Sequence, residues 1–315
     1  SAFLLFGMAL IYMETGSMEF AAIAQSVEKS SSSVLFMMGF GIMLVAIGFK
    51  LALAPFHLWA ADVYQGAPSP VTAFIATVSK IGVFAVLLRF AQSVNLQQYP
   101  LMMSTFSIIA IASMIVGNLL ALRQQNIKRL MGYSSIAHFG YLLVAFLPGN
   151  AAGVEAAAFY LIAYSITLLA VFGVISVLST RMKDAEDLAM YKGLFYKRPI
   201  LSAVLIISFL SLAGIPLTAG FIAKFFVLAS GVHQHLWLPV IVLVITSVIG
   251  LYYYLRVIST LFAATPSTGS VPKTLHPFFY ITTYITLIIM MIVLCWLGIF
   301  PDSTVEGIRA FLLIR

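Results

Sequence analysis

Charged residues are scarce in this sequence: Asp, Glu, Lys and Arg make up 9% of its 315 residues, where a soluble domain carries about a quarter. Hydrophobic residues make up 62% and the mean hydropathy is +1.07. In water such a chain would expose apolar patches larger than soluble proteins tolerate, so its solvent is lipid. The one cysteine, Cys295, lies in an apolar run. That excludes a disulfide framework within the chain and an iron–sulfur cluster held by its own cysteines. There is no GxGxxG after a strand pattern, no Gly-rich GK[ST] loop and no metal-ligand spacing of Cys and His. No cofactor, nucleotide or metal is therefore expected on this chain. The net charge of +7 would point to nucleic acid in a soluble protein. Here the basic residues sit in short loops and report topology, so no nucleic-acid partner is expected.

Acidic residues are missing from the middle of every apolar run. Glu14, Glu19, Glu28, Asp62, Glu155, Asp184, Glu186, Asp187, Asp302 and Glu306 fall in loops or at run ends. A spanning helix needs about 20 mostly apolar residues. Eight runs qualify, near 34–59, 71–91, 101–122, 127–147, 155–179, 199–230, 239–263 and 277–299. They are joined by short Gly-, Pro-, Ser- and Asn-rich connections, so residues 1–315 read as a single transmembrane domain. Ser1 stands first and residues 1–12 are apolar without a basic leader or cleavage site, which reads as the end of a helix in an N-terminally truncated chain.

Arg123, Lys128 and Arg129 share one loop, Arg181, Lys183, Lys192, Lys197 and Arg198 another, and Lys273 lies in a third, while loops 92–100, 148–154 and 231–238 hold no Lys or Arg. The positive-inside rule places the basic loops in the cytoplasm and the tail after Pro301 on the other side. Segment 181–198, of mixed charge around Leu188, Met190, Leu194 and Phe195, reads as an interfacial linker. Trp59, Trp237 and Trp296 near span ends fit an interfacial belt, and the tyrosines and phenylalanines read mostly as packing or lipid-facing groups. Arg89 and Arg256 lie near span ends and can snorkel.

Two runs are interrupted by proline, Pro55 in LVAIGFKLALAPFHLWAADVYQGAP and Pro216 in ISFLSLAGIPLTAGFIAKFFVLASG. Each helix is expected to break there, because proline removes a donor and clashes with the preceding turn. Broken backbone at membrane depth is tolerated where it is buried in protein or lines a wet cavity, and paired breaks point to an ion path; a purely structural kink is the competing reading. Lys50 and Lys224 stand beside the breaks, and Lys80 is central in 71–91. A lysine at the bilayer centre costs about 2.5–3.5 kcal/mol on insertion scales, so these residues need compensation. Snorkelling remains open for Lys50 and is poor for Lys80. Either the lysines are partly neutral, or a carboxylate comes from an earlier part of the chain or a neighbouring subunit. His138, central in 127–147, reads either as a hydrogen-bonded packing residue or as a proton relay. Tyr133, Ser134, Ser135 and Tyr141 lie within about a turn of it, and His57 stands at the mouth of the first break as a channel-lining candidate.

Three segments carry a family resemblance. GFKLALAPFHLWAADVYQGAPSPVTAFIATVSKIGVF (48–84) closely resembles a segment of the N-subunit branch of the antiporter-like membrane subunits of bacterial NADH:quinone oxidoreductase, respiratory complex I. NIKRLMGYSSIAHFGYLL (126–143) and LSLAGIPLTAGFIAKF (210–225) resemble further signatures of that family, shared with its sister subunits and with Mrp-type cation/proton antiporter subunits. The resemblance covers essentially the whole chain. It implies an all-α polytopic membrane protein, an antiporter-like bundle of fourteen helices with inverted repeats and two Pro-broken helices, of which this chain holds the end of helix six to helix fourteen.

By the same resemblance Lys50, Lys80 and Lys224 match three lysines of a charged axis, His138 matches a polar position linking the two halves, and an axis glutamate lies before Ser1. Two departures are visible, Ala61 and Leu217, where family members commonly have proline. The implied function is proton translocation through two half-channels joined at these residues, driven by redox chemistry elsewhere. NADH, FMN, iron–sulfur clusters and quinone are then expected on the complex and not on this chain. The implied partners are other complex I membrane subunits including sister antiporter-like subunits, together with lipids and protons, and the implied location is the bacterial inner membrane with a periplasmic tail. An Mrp-type Na+/H+ antiporter subunit and a structural subunit without transport are the alternatives.

Overall fold

A computed structural model describes residues 2–29, 34–180, 184–264 and 277–313. Arg181, Lys183, Lys273 and His276, which bear on topology or belong to loops, lie outside the described residues. The described residues form helices and one isolated bridge, Asn126 with Asp187, and no strand.

Among the described residues six helices are long and apolar enough to cross a membrane: Val34–Leu51, Ser69–Ser93, Pro100–Leu122, Ala151–Leu178, Trp237–Phe262 and Ile281–Ile299. Two of the eight apolar runs differ from these for physical reasons. Run 127–147 forms α8 (Ile127–Phe146), whose apolarity is diluted by Lys128, Arg129, Ser134, Ser135 and His138. Run 199–230 is divided into α11 (Pro199–Ala213) and α12 (Ala219–His233), each too short to span alone. The first run is also divided: α3 (Val34–Leu51) stops before Pro55, and α4 (Leu58–Gly66) restarts beyond it.

The helices preceding and following these are α1 (Ala2–Thr15), α2 (Phe20–Lys29), α5 (Ser69–Phe74), α6 (Lys80–Ser93), α7 (Pro100–Leu122), α9 (Ala151–Leu178), α10 (Leu194–Lys197), α13 (Trp237–Phe262), α14 (Pro277–Ile299) and α15 (Asp302–Leu313). A π-helical turn, Ile75–Ser79, joins α5 to α6 in one continuous rod. The two short helices α2 and α15 fall below span length and went unpredicted.

α8 is the axle of the bundle. From Leu130 to Phe146 only Tyr133 is more than marginally exposed, as befits a helix packed on all sides. It packs against α4, α7, α9 and α12, while α13 packs on α7 and α11. Asn126 caps α8, its side chain accepting from Lys128 N and Arg129 N.

The linker after α9 does not simply lie on the surface. Leu188 and Leu194 are buried and only Met190 and Phe195 of the four apolar residues are exposed. Its backbone meets the start of α8 through Ile127 N to Glu186 O at 2.7 Å and Leu188 N to Gln125 O at 2.9 Å. Arg256 has specific partners: its guanidinium donates to Leu122 O at 2.7 Å and Gln124 O at 2.6 Å, carbonyls at and just beyond the end of α7.

Candidate functional site

Each helix break leaves backbone groups without helical partners, and buried groups of that kind must be paired. At the first break, Ala54 N donates to Ser113 Oγ on α7 at 2.9 Å, and Trp59 Nε1 donates to Phe49 O at 2.8 Å. Trp59 thus has a specific backbone partner, beyond a place in an interfacial belt. At the second break, Lys224 Nζ donates to Ala213 O at 3.0 Å and Gly220 N donates to Ser211 Oγ at 3.1 Å. Gly214 ends α11 at φ +81°, and a Cβ there would lie 2.9 Å from Lys224 Cδ and 3.3 Å from Nζ. Glycine leaves both the turn and the space that the lysine occupies. Leu217 has φ +71°, a conformation that the fixed φ of proline forbids.

The structure brings Lys80, Ser134, Ser135, His138 and Lys224 together in the core, and all five are buried. Lys80 follows directly on the π turn, a feature frequent at functional positions. Its Nζ donates to Ser135 Oγ at 2.7 Å and lies 4.9 Å from the Phe139 ring centroid and 5.6 Å from that of Tyr64. Tyr164 Oη approaches the same Ser135 Oγ at 2.8 Å, and Tyr64 Oη at 3.4 Å. A hydroxyl has two lone pairs and one hydrogen, so one of these three neighbours must accept from it.

His138 sits between two phenols, Nδ1 to Tyr160 Oη at 2.6 Å and Nε2 to Tyr254 Oη at 3.0 Å, and Tyr254 Oη meets Ser134 Oγ at 2.5 Å. The Tyr164 ring lies 5.5 Å from the His138 ring, so one tyrosine touches both the Lys80 group and the His138 group. Lys224 Nζ donates to Ser247 Oγ at 2.7 Å and stands 5.3 Å from the Tyr141 ring centroid. A cavity of about 10 Å³, lined among others by His138, Tyr160, Thr167, Ser211 and Lys224, separates His138 from Lys224. That is about the least space that one water molecule needs, with the named polar side chains set in a mostly apolar wall. These groups form a row from Lys80 to Lys224, hydrogen-bonded within the Lys80 group and within the His138 group, and joined by the Tyr164–His138 ring contact and by the small cavity that His138 and Lys224 both line.

Other candidates stand apart. Lys50, on the last turn of α3, is exposed and has no ion pair among the described residues. His57 is buried beside the first break, and its Nδ1 has no partner among the described residues. Tyr133 turns away from the row towards Arg129, whose Nη2 lies 3.5 Å from its hydroxyl. Pro55 and Pro216 are exposed at the two breaks.

Beside Tyr141, near His138 in sequence, the row contains tyrosines that sequence reasoning left among the packing or lipid-facing groups: Tyr64, Tyr160, Tyr164 and Tyr254, all buried. Their signal was depth, since interfacial tyrosines belong at span ends and Tyr160 and Tyr164 lie well inside α9. Lys128, read as a loop residue marking topology, is 1% exposed and paired with Asp184 at 2.6 Å. Among the described residues no group of three or more His, Cys, Asp or Glu is placed to hold a metal ion.

The family described as NADH:quinone oxidoreductase/Mrp antiporter, TM, matches residues 1–250. The chain is 50% identical over 314 residues, 97% of its own length and 62% of the relative's, to the protein named NADH-quinone oxidoreductase subunit N of Ectopseudomonas mendocina (strain ymp). It is 51% identical over 268 residues, covering 84% of itself and 56% of the relative, to the protein of the same name from Chromohalobacter salexigens. A chain of respiratory complex I from Thermus thermophilus with bound aureothin superposes with a TM-score of 0.81 at 35% identity, covering 97% of this chain and 65% of that one. The chain thus spans about 60% of the length of the curated relatives it matches. The broken helices and the buried lysine row agree with a match that runs over most of the sequence: this chain belongs to the NADH:quinone oxidoreductase/Mrp antiporter transmembrane family.

Proposed function

We propose that this chain is the greater part of a proton-translocating membrane subunit of a bacterial NADH:quinone oxidoreductase, in the inner membrane with its tail on the periplasmic side. The observation that carries the reading is the row Lys80, Ser135, Tyr164, His138, Tyr160 and Lys224, in which hydroxyls and an imidazole lie between two buried amines. An amine can release and regain a proton when a neighbouring charge changes, which is how charge movement in one subunit biases the next. Lys50, with the glutamate that the family resemblance places on an earlier helix, would extend the row to the neighbouring half-channel. The subunit has no redox role of its own; NADH, FMN, iron–sulfur clusters and quinone belong to other subunits, and the sister antiporter-like subunits and lipids are its neighbours.

Segment 48–84 favours this reading over an Mrp-type Na+/H+ antiporter subunit. The test is Lys80→Ala and Lys224→Ala in the intact complex, reconstituted in vesicles. Assembly is expected to stay largely intact, because alanine removes a costly buried charge and suits a helix, which for Lys224 offsets the cost of about 1–3 kcal/mol of leaving Ala213 O without its donor, while proton movement per NADH oxidised falls sharply. Normal pumping in both variants would reject the assignment.

A further inference from the structure

Lys128 takes no part in the row, yet it is as buried as Lys80. Its Nζ donates to Ala67 O at 2.5 Å and to Asp184 Oδ2 at 2.6 Å. The same Asp184 oxygen accepts from Ser69 Oγ at 2.7 Å and Ser69 N at 2.9 Å. Ser69 opens α5, the rod that carries Lys80; Lys128 stands in the first turn of α8, which carries Ser135 and His138; Asp184 belongs to the linker after α9. One carboxylate oxygen therefore joins the starts of the two helices whose side chains meet at the Lys80–Ser135 hydrogen bond. The linker is itself pinned there, with Asn126 Nδ2 donating to Glu186 Oε2 at 2.9 Å beside the two backbone bonds between the linker and the start of α8.

The two ties lie at different heights. Lys80 is about 16 Å along its rod from Ser69, and Ser135 about 10 Å along α8 from Lys128, at 1.5 Å per residue. A single tie leaves two helices free to slide or splay about it, whereas two fix their register. A shift of about 1 Å at a proton-transfer contact can cost as much as a hundredfold in rate.

We propose that Asp184 is a positioning residue: its clamp on Ser69 and Lys128 sets the Lys80–Ser135 separation, and with it proton exchange at Lys80. The proposal rests on the reading of Lys80 as a proton carrier. Burial pushes the Asp184 carboxyl up, but hydrogen bonds from Lys128 and Ser69 outweigh it and hold the group below its usual range. The clamp is then complete above the ordinary carboxylate range and is lost only as pH falls through the lowered value. It is a fixed strut at neutral pH and not a switch.

The test compares Asp184→Asn, Asp184→Glu and the double variant Lys128→Met/Asp184→Asn in the intact complex. The double variant removes both charges, so no uncompensated buried ammonium confuses the result. Proton pumping per NADH and amide hydrogen exchange in the first turns of α5 are measured together. Asp184→Asn and the double variant are expected to assemble, exchange faster at residues 71–74 and pump about tenfold less, and Asp184→Glu to recover part of the loss. Unchanged pumping and exchange in both Asp184→Asn and the double variant would overturn the proposal. Lys80→Ala serves as the control. If it stops pumping while the double variant pumps normally, the clamp alone fails; if Lys80→Ala itself pumps normally, the reading of Lys80 fails and the clamp with it.

Discussion

The two helix breaks solve one problem in different ways. At the first, the freed backbone is served by bystanders, Ser113 and Trp59, and the nearby Lys50 stays exposed. At the second, the functional candidate is itself the support, with Lys224 donating to Ala213 O across the gap while also reaching Ser247. The first break separates support from chemistry and the second merges them. A lysine that holds a broken helix together stands at a fixed position relative to that helix, which suits the proton-carrying role proposed for it.

That contrast can be broken by substitution. The largest expected effect is at the second break, where Leu217→Pro asks a residue at φ +71° to take up a φ near −65°; a loss of about 3 kcal/mol or failure to assemble is expected. Gly214→Ala comes next, combining left-handed strain with a Cβ 2.9 Å from Lys224 Cδ, together about 2–5 kcal/mol. Thermal unfolding of the detergent-solubilised complex reads both. The matching change at the first break has the opposite sign: Ala52→Gly relieves a residue at φ +58° and should be neutral or stabilising by up to about 1 kcal/mol. A loss on Ala52→Gly as large as that on Gly214→Ala would erase the distinction between the breaks.

Smaller effects sharpen it. Ser113→Ala leaves the buried Ala54 N without its acceptor, at a cost of about 1–3 kcal/mol, and should lower the unfolding temperature without changing proton stoichiometry. Trp59→Phe keeps the aromatic contact with Phe49 and loses one hydrogen bond to its carbonyl, worth about 1 kcal/mol. A fall in pumping ratio with either variant would mean that support and chemistry are joined at the first break as well.

The parts of this fold legible in the sequence were those with a one-dimensional signature. Apolar runs of sufficient length marked the spanning helices, and Pro55 and Pro216 marked the interruptions, since proline acts on its own backbone. The π turn before Lys80 has no such signature in IATVS, because an i→i+5 turn is stabilised by what packs around it. α2 and α15 escaped notice because amphipathic helices that lie on a bundle are shorter and more polar than spans.

At the site, the lysines and His138 stood out because charge at membrane depth demands a reason. The tyrosines did not, since a phenol is as much a packing group as a polar one, and only its neighbours decide between them. Lys128 was misplaced for the converse reason. It sits near a loop in sequence, but the linker holding Asp184, more than fifty residues on, folds back over it.

The central claim is that Lys80 and Lys224 act by releasing and regaining a proton, and not merely by being positive. Arginine keeps the charge and cannot give up its proton at working pH. The decisive measurement is therefore proton translocation per NADH oxidised in vesicles containing the complex with Lys80→Arg or Lys224→Arg. The account predicts assembled complex with translocation through this subunit abolished. Assembled Lys80→Arg and Lys224→Arg complexes that pump at the unmodified ratio would contradict it.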